Sequence, residues 1–141
     1  MEPSALSLVQ SVCDNVGLTR TVSDEQLRWL HFLCPGSVGG AAEILDHRTV
    51  TRCVARESRR EFFTVDATSK RTHCTLPGFC TCCAYCYQVV ARPDALLCKH
   101  ELAVRLASAL GLVQVLELED AEWACQFSLA IGIPMSEYCT A

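Results

Sequence analysis

Seven residues of types that bind metals or carry thiol chemistry fall between positions 74 and 100: Cys74, Cys80, Cys82, Cys83, Cys86, Cys98 and His100. A structural zinc ion takes four soft or borderline ligands in a tetrahedron, and proteins normally deliver them as two pairs from two separate elements. Cys80-Thr81-Cys82 follows a Pro77-Gly78 turn and can supply one pair. Cys98-Lys99-His100 stands at the start of the strongest helical pattern in the chain and can supply the other. A helix N-terminus favours thiolate over thiol through its unsatisfied N–H groups and partial positive charge. The expected ligands are therefore Cys80, Cys82, Cys98 and His100, around Zn2+. Four protein ligands leave no open coordination position, which is the geometry of a structural rather than a catalytic site.

The same stretch offers other arrangements. Cys80 and Cys83 have C-x-x-C spacing, as do Cys83 and Cys86, and either pair suits a zinc knuckle or a redox dithiol. A variant zinc set drawing on Cys74, Cys83 or Cys86 stays open on spacing. Redox C-x-x-C motifs usually open a helix after a strand in a βαβ context, which this sequence lacks. His73 lies beside the cluster, and His31 and His47 lie in helical patterns without a matching pair, so all three read as structural. Cys13, Cys34, Cys53 and Cys125 fall at apolar-periodic positions and read as small core hydrophobes. Cys139 sits near the C-terminus.

The elements that must position these residues follow from periodicity. Ala5, Val9, Val12 and Val16 recur at helical spacing up to Gly17. Ser23-Asp24-Glu25-Gln26 is a capping box opening a second helix through Leu27, Leu30 and Cys34, stopped by Pro35-Gly36. Gly39-Gly40 reads as a loop, and Ala41, Ala42, Ile44 and Leu45 as a short third helix ending near His47. From Thr49 the pattern becomes β-branched and alternating. Thr49–Ala55, Glu61–Val65 and Thr72–Leu76 predict a small antiparallel meander. The segment Tyr85–Val90 is apolar and undecided between helix and strand. Leu96, His100, Ala103, Ala107 and Leu110 share one face of a long helix that Gly111 ends. A short helix over 120–130 follows, with Trp123, Ala124 and Phe127 inward. The expected fold is α+β: a helical lobe over 1–47, the meander, finger and its helix over 48–111, and a C-terminal helical segment over 112–141, in one compact unit.

Composition bounds the function. The chain has 141 residues, half of them apolar, a fifth charged and eleven of them cysteine. The first residues carry no basic stretch of the kind a secretory signal needs, so the thiols are expected in a reducing cytosol or nucleus, where metal binding is the first reading of a cysteine cluster. No apolar run is long enough for a membrane span. Residues 1–47 hold two arginines against six carboxylates, residues 48–105 ten Lys and Arg against five, and residues 106–141 no cation against five. A basic middle between acidic ends is either a phosphate-contacting face, with Arg59, Arg60, Lys70, Arg71, Arg92 and Lys99 as its members, or a set of charges that neutralise one another on folding. Trp29, Phe32 and Trp123 are core residues by default, with an exposed partner-binding stripe as the alternative. The sequence has no phosphate-binding loop with its lysine, no H-E-x-x-H and no G-x-S-x-G, so no enzyme is expected.

The pattern Cys80-Thr81-Cys82, a spacer, then Cys98-Lys99-His100 resembles the SWIM zinc-finger signature. Leu96-Leu97-Cys98-Lys99-His100-Glu101-Leu102-Ala103-Val104 is similar to the corresponding run of the Shu-complex SWIM proteins, and the resemblance extends over nearly the whole chain. Cys83 and Cys86 are thiols beyond that pattern. The resemblance implies a non-catalytic, nuclear adaptor in homologous recombination. It implies a heterodimer with a RecA-family recombinase paralogue, contact with the recombinase itself, and single-stranded DNA reached through the complex. A stand-alone nucleic-acid-binding zinc module and a thiol redox or metal-buffering protein are the alternative functions.

Overall fold

The computed structural model describes residues 4–66, 72–77, 79–82 and 96–132. Three helices open the chain: α1 (Ala5–Thr19), α2 (Asp24–Leu33) and α3 (Val38–His47). The Ser4 hydroxyl caps α1 by accepting from the Ser7 N–H at 3.1 Å. This helix runs through Gly17 rather than stopping there, and ends where Arg20 turns left-handed and its N–H reaches the Val16 carbonyl. The capping box of α2 forms as expected: Gln26 N–H donates to Ser23 Oγ at 3.1 Å, and Ser23 N–H donates to Gln26 Oε1 at 2.9 Å. Cys34 closes α2 outside the helical region, at φ −135° and ψ 60°, as the following Pro35 disfavours a helical residue before it.

Gly39 and Gly40 do not form a loop; both lie in the first turn of α3. The reason is tertiary. A Cβ on Gly40 would sit 2.6 Å from Lys99 Cδ and 3.0 Å from Lys99 Cβ, so only glycine lets α3 approach the start of the finger helix this closely.

The meander then follows as β1 (Val50–Ala55), β2 (Glu61–Asp66), β3 (Thr72–Leu76) and the short β4 (Phe79–Cys80), antiparallel throughout, with Cys53 opposite Phe62, Thr64 opposite Cys74, and Thr75 opposite Cys80. The helix α4 (Lys99–Leu110) and the strand β5 (Gln114–Leu118) come next, and α5 (Asp120–Ala130) ends the described chain. β5 adds to the antiparallel sheet a parallel edge strand, Cys53 lying opposite Leu116, so the sheet order is β4-β3-β2-β1-β5. A parallel partner needs a crossover connection. Here the crossover contains the finger and α4.

Strand alternation splits the sheet into two faces. One carries Val50 and Val65 into the main core with Val9, Leu30, Ile44, Leu102 and Leu106, under α1, α3 and α4. The other carries Cys53, Ala55, Phe62 and Cys74 against α5. Phe62, Trp123 and Phe127 pack there with ring centroids 5.2 to 5.6 Å apart, and Trp123 Nε1–H donates to the Cys53 carbonyl at 3.0 Å. Cys13, Cys34 and Cys53 are buried free thiols, as expected. Cys125 differs: it is half-buried and disulfide-bonded. No helix among the described residues is long and apolar enough to cross a membrane.

Candidate metal centre

β4 ends on Cys80, whose register opposite Thr75 turns its side chain to the face away from Cys74. The next residue fastens the turn. Thr81 N–H donates to the Cys74 carbonyl at 3.1 Å, and the Thr81 hydroxyl accepts from the Cys74 N–H at 3.0 Å. With Thr81 tied to β3 on both sides, Cys80 and Cys82 are held on one side of the turn. The second pair is fixed by α4. Cys98 is its N-cap, extended at φ −80° and ψ 167°, and its Sγ accepts from the Glu101 N–H at 3.4 Å. His100 follows in the first turn. Behind them, the buried Ser37 hydroxyl donates to the Leu97 carbonyl at 2.7 Å and pins the approach to α4 against α3.

One ligand atom from each of Cys80, Cys82, Cys98 and His100 lies within 4.8 Å of all the others, and all four residues are buried. Sulfurs bound at zinc's usual 2.3 Å in a tetrahedron stand about 3.8 Å apart, so the cluster needs little contraction to close on an ion. Two observations test whether a cation fits. His100 is 3 % exposed, yet both its ring nitrogens are buried without a hydrogen-bond partner. Such an orphan is costly unless something else binds it. The thiols also crowd one another. Cys80 is raised far above the ordinary thiol range, first by hydrogen bonding to Cys82 and then to Cys98, with burial adding to both. The Cys98 thiol is lowered by its hydrogen bond with Cys80, but the Cys82 hydrogen bond and burial outweigh this and push it up to about 11. Burial and mutual hydrogen bonding hold the Cys80 and Cys98 protons in place, whereas a divalent cation deprotonates the thiols that bind it. The donor set of three sulfurs and one imidazole is zinc's.

The structure brings the four expected residues together and leaves Cys74 out, buried on the opposite face beside Cys53. Cys83 and Cys86, and with them the C-x-x-C alternatives, lie outside the described residues, as do Lys70, Arg71, Arg92, Cys139 and the segment 85–90. His73 is not in the set; its ring tilts against that of His100 with centroids 4.2 Å apart. Burial first, then the charges of His100, Lys99 and Arg48, hold His73 below the usual histidine range. Thr81 and Ser37 were not marked by the sequence pattern, and Gly40 was marked only as a loop residue, since each acts through a contact made only on folding.

The finger's family can now be placed. A protein of Dictyostelium discoideum named zinc finger SWIM domain-containing protein 7 homolog is 27 % identical over 139 residues, 94 % of this chain and 88 % of its own length. The human zinc finger SWIM domain-containing protein 7 is 30 % identical over 102 residues, 72 % of this chain and 73 % of its own. This chain belongs to that family. The zebrafish member is similar at 32 % identity over 105 residues, 73 % and 74 % of the two chains. No general family model matches the sequence. No solved structure matches it either.

Part of the basic middle is paired with carboxylates around the β1–β2 turn. Arg56 pairs with Glu117 at 3.0 Å and also with Glu119, and Arg59 lies 3.5 Å from Glu117. Asp120 accepts from the Glu57 and Ser58 N–H groups at 3.0 and 3.1 Å, and the first of these bonds does most to hold its carboxyl below the usual range. Arg52 lies 3.5 Å from Glu61. These carboxylates of the C-terminal segment lock the β1–β2 turn to β5 and α5.

Proposed function

We propose that the chain is a non-catalytic adaptor in homologous recombination whose fold is completed by Zn2+ on Cys80, Cys82, Cys98 and His100. The observation that carries the metal reading is the buried three-sulfur, one-imidazole cluster at the N-terminus of α4, with both His100 nitrogens left without partners. The ion supplies a cross-link between β4 and α4, two elements separated by the finger's spacer. All four ligands belong to the chain, so the ion offers no position to a substrate. Family membership supports the non-catalytic part: the relatives are named as zinc-finger SWIM proteins, not as enzymes.

In this reading the chain pairs with a RecA-family recombinase paralogue, which supplies ATP handling. The heterodimer promotes or stabilises recombinase filaments on single-stranded DNA in the nucleus, with no membrane involved. The ion-paired β1–β2 turn favours the adaptor over a stand-alone nucleic-acid module, because Arg56 and Arg59 already face carboxylates. The test is co-expression pull-down with mass spectrometry, comparing wild type with Cys98→Ser. The expected result is a RecA-family partner with wild type and its loss with the variant. Recovery of no ATPase-fold partner by the zinc-loaded wild type refutes the adaptor reading.

A further inference from the structure

α1 and α2 form a helical hairpin that spends only one side on the core. Val9, Cys13 and Val16 of α1 and Leu30 of α2 face inward and are buried. On the other side the two helices border a groove of about 590 Å³, whose apolar lining is Leu8, Val12, Leu18, Trp29, Phe32 and Leu33. Leu18 is 82 % exposed, Phe32 78 % and Trp29 53 %. An apolar stripe of this kind with aromatic members costs solubility, and it marks a protein contact more often than a bare surface.

Charge says what kind of contact. Glu25 is the charged side chain that lines the groove among the described residues, and no cation lines it. The hairpin's own arginines stand elsewhere. The Arg20 guanidinium is drawn to Gly111 at the end of α4, where a Cβ would meet Nη1 at 2.5 Å. Arg28, four residues after Asp24 and three after Glu25, borders that face of α2 but does not line the groove. The whole lobe over 1–47 has two arginines against six carboxylates. The width between two helices suits a third helix, read through side chains at i, i+3, i+4 and i+7. We propose that this groove docks an amphipathic helix of a partner protein, with its apolar stripe between α1 and α2 and a flanking arginine or lysine on Glu25 and the Trp29 ring. The cation gains from the carboxylate and from the aromatic face together. The proposal rests on the adaptor reading for the existence of a partner, and adds where and by what chemistry that partner is held.

The probes are two synthetic amphipathic peptides of roughly 18 residues, five helical turns. They share one leucine stripe; one is flanked by arginine and the other by glutamate. Their binding to the full-length, zinc-loaded chain is read by fluorescence anisotropy. The arginine-flanked peptide is expected to bind, and the glutamate-flanked one at least about tenfold more weakly. Glu25→Gln should narrow that difference. The double variant Trp29→Ala, Phe32→Ala should lose about tenfold or more for the arginine-flanked peptide while zinc content and circular dichroism stay unchanged, because both side chains are exposed. Equal binding of the two peptides, no binding of either, or indifference to the double variant overturns the proposal. A wild-type dimer that the double variant dissolves also overturns it, by assigning the groove to a second copy. The pull-down separates the two claims. A double variant that retains the RecA-family partner undiminished removes the groove and leaves the adaptor reading standing. A wild type that recovers no such partner removes the adaptor reading, whatever the peptides do.

Discussion

Cys98 does two jobs that serine and alanine separate. Its sulfur is one of the four clustered donors, and the same atom accepts the Glu101 N–H as the N-cap of α4. Cys98→Ser keeps an N-cap oxygen and removes the thiolate; Cys98→Ala removes both. The cap is worth about 1 kcal/mol. The metal is worth more: a ligand that binds only the folded chain, at a free concentration of about 1,000 times its dissociation constant, stabilises by about 4.1 kcal/mol. For a chain of this length, 1 kcal/mol moves the melting midpoint by roughly 4 °C. Wild type in zinc should therefore melt roughly 15 °C above wild type in chelator. With zinc, Cys98→Ser should fall most of the way to the chelated midpoint. With chelator present, Cys98→Ser and wild type should nearly coincide, and Cys98→Ala should lie about 4 °C below both. The assay is thermal melting by circular dichroism, with metal content measured on the same samples. An unchanged wild-type melt after verified metal removal refutes the zinc assignment. A Cys98→Ala melt equal to that of Cys98→Ser in chelator refutes the capping role while leaving the metal assignment untouched.

Three further outcomes follow from the same geometry. Ser37→Ala removes the donor to the Leu97 carbonyl in a buried position and should cost about 1–3 kcal/mol in urea unfolding, with weakened zinc retention, because the approach to Cys98 is loosened. Trp123→Phe should cost about 1 kcal/mol for the lost bond to the Cys53 carbonyl, and Trp123→Ala about 3–5 kcal/mol for the emptied site between Phe62 and Phe127, both read by chemical denaturation with zinc content unchanged. Burial pushes the Cys13 and Cys74 thiols up to about 11 from 9.0, so the unfolded chain releases these protons first as pH rises. Their contribution is whole below pH 9 and is lost as pH climbs from 9 toward 11; urea midpoints should fall across that window, and Cys13→Ala should flatten the slope.

The site was legible because its chemistry is local. Each ligand pair is separated by a single residue, and the second pair opens a helix that its own periodicity announces, so Cys80, Cys82, Cys98 and His100 could be chosen without knowing the fold. The capping box at Ser23 and the three meander strands were legible for the same reason: hydroxyl-to-amide geometry and strand alternation repeat within a few residues. β5 was not. It is an edge strand whose five residues are nearly all exposed, so it lacks the alternation of inward apolar and outward polar residues by which a strand is recognised. Its pairing with β1 spans more than sixty positions. Gly39 and Gly40 misread as a loop because a glycine pair usually breaks a helix, whereas here Gly40 serves the contact with Lys99.

The aromatics show where periodicity stops informing. Trp29 and Trp123 both occupy regular helical positions beside apolar neighbours, and a helical wheel treats them alike. Trp123 is buried because α5 lies on a sheet face bearing Phe62 and Cys53. Trp29 is exposed because α1 and α2 meet the core through Val9, Cys13, Val16 and Leu30, which leaves the stripe of Leu18, Trp29 and Phe32 without a surface of this chain to cover it among the described residues. The difference is not in either residue but in whether a third layer is present. In the C-terminal half the chain supplies that layer itself, through α5 and the carboxylates that lock it to the β1–β2 turn. On the N-terminal hairpin the described residues supply no such layer, and the proposed docking helix would provide it by resting on Leu18, Trp29 and Phe32.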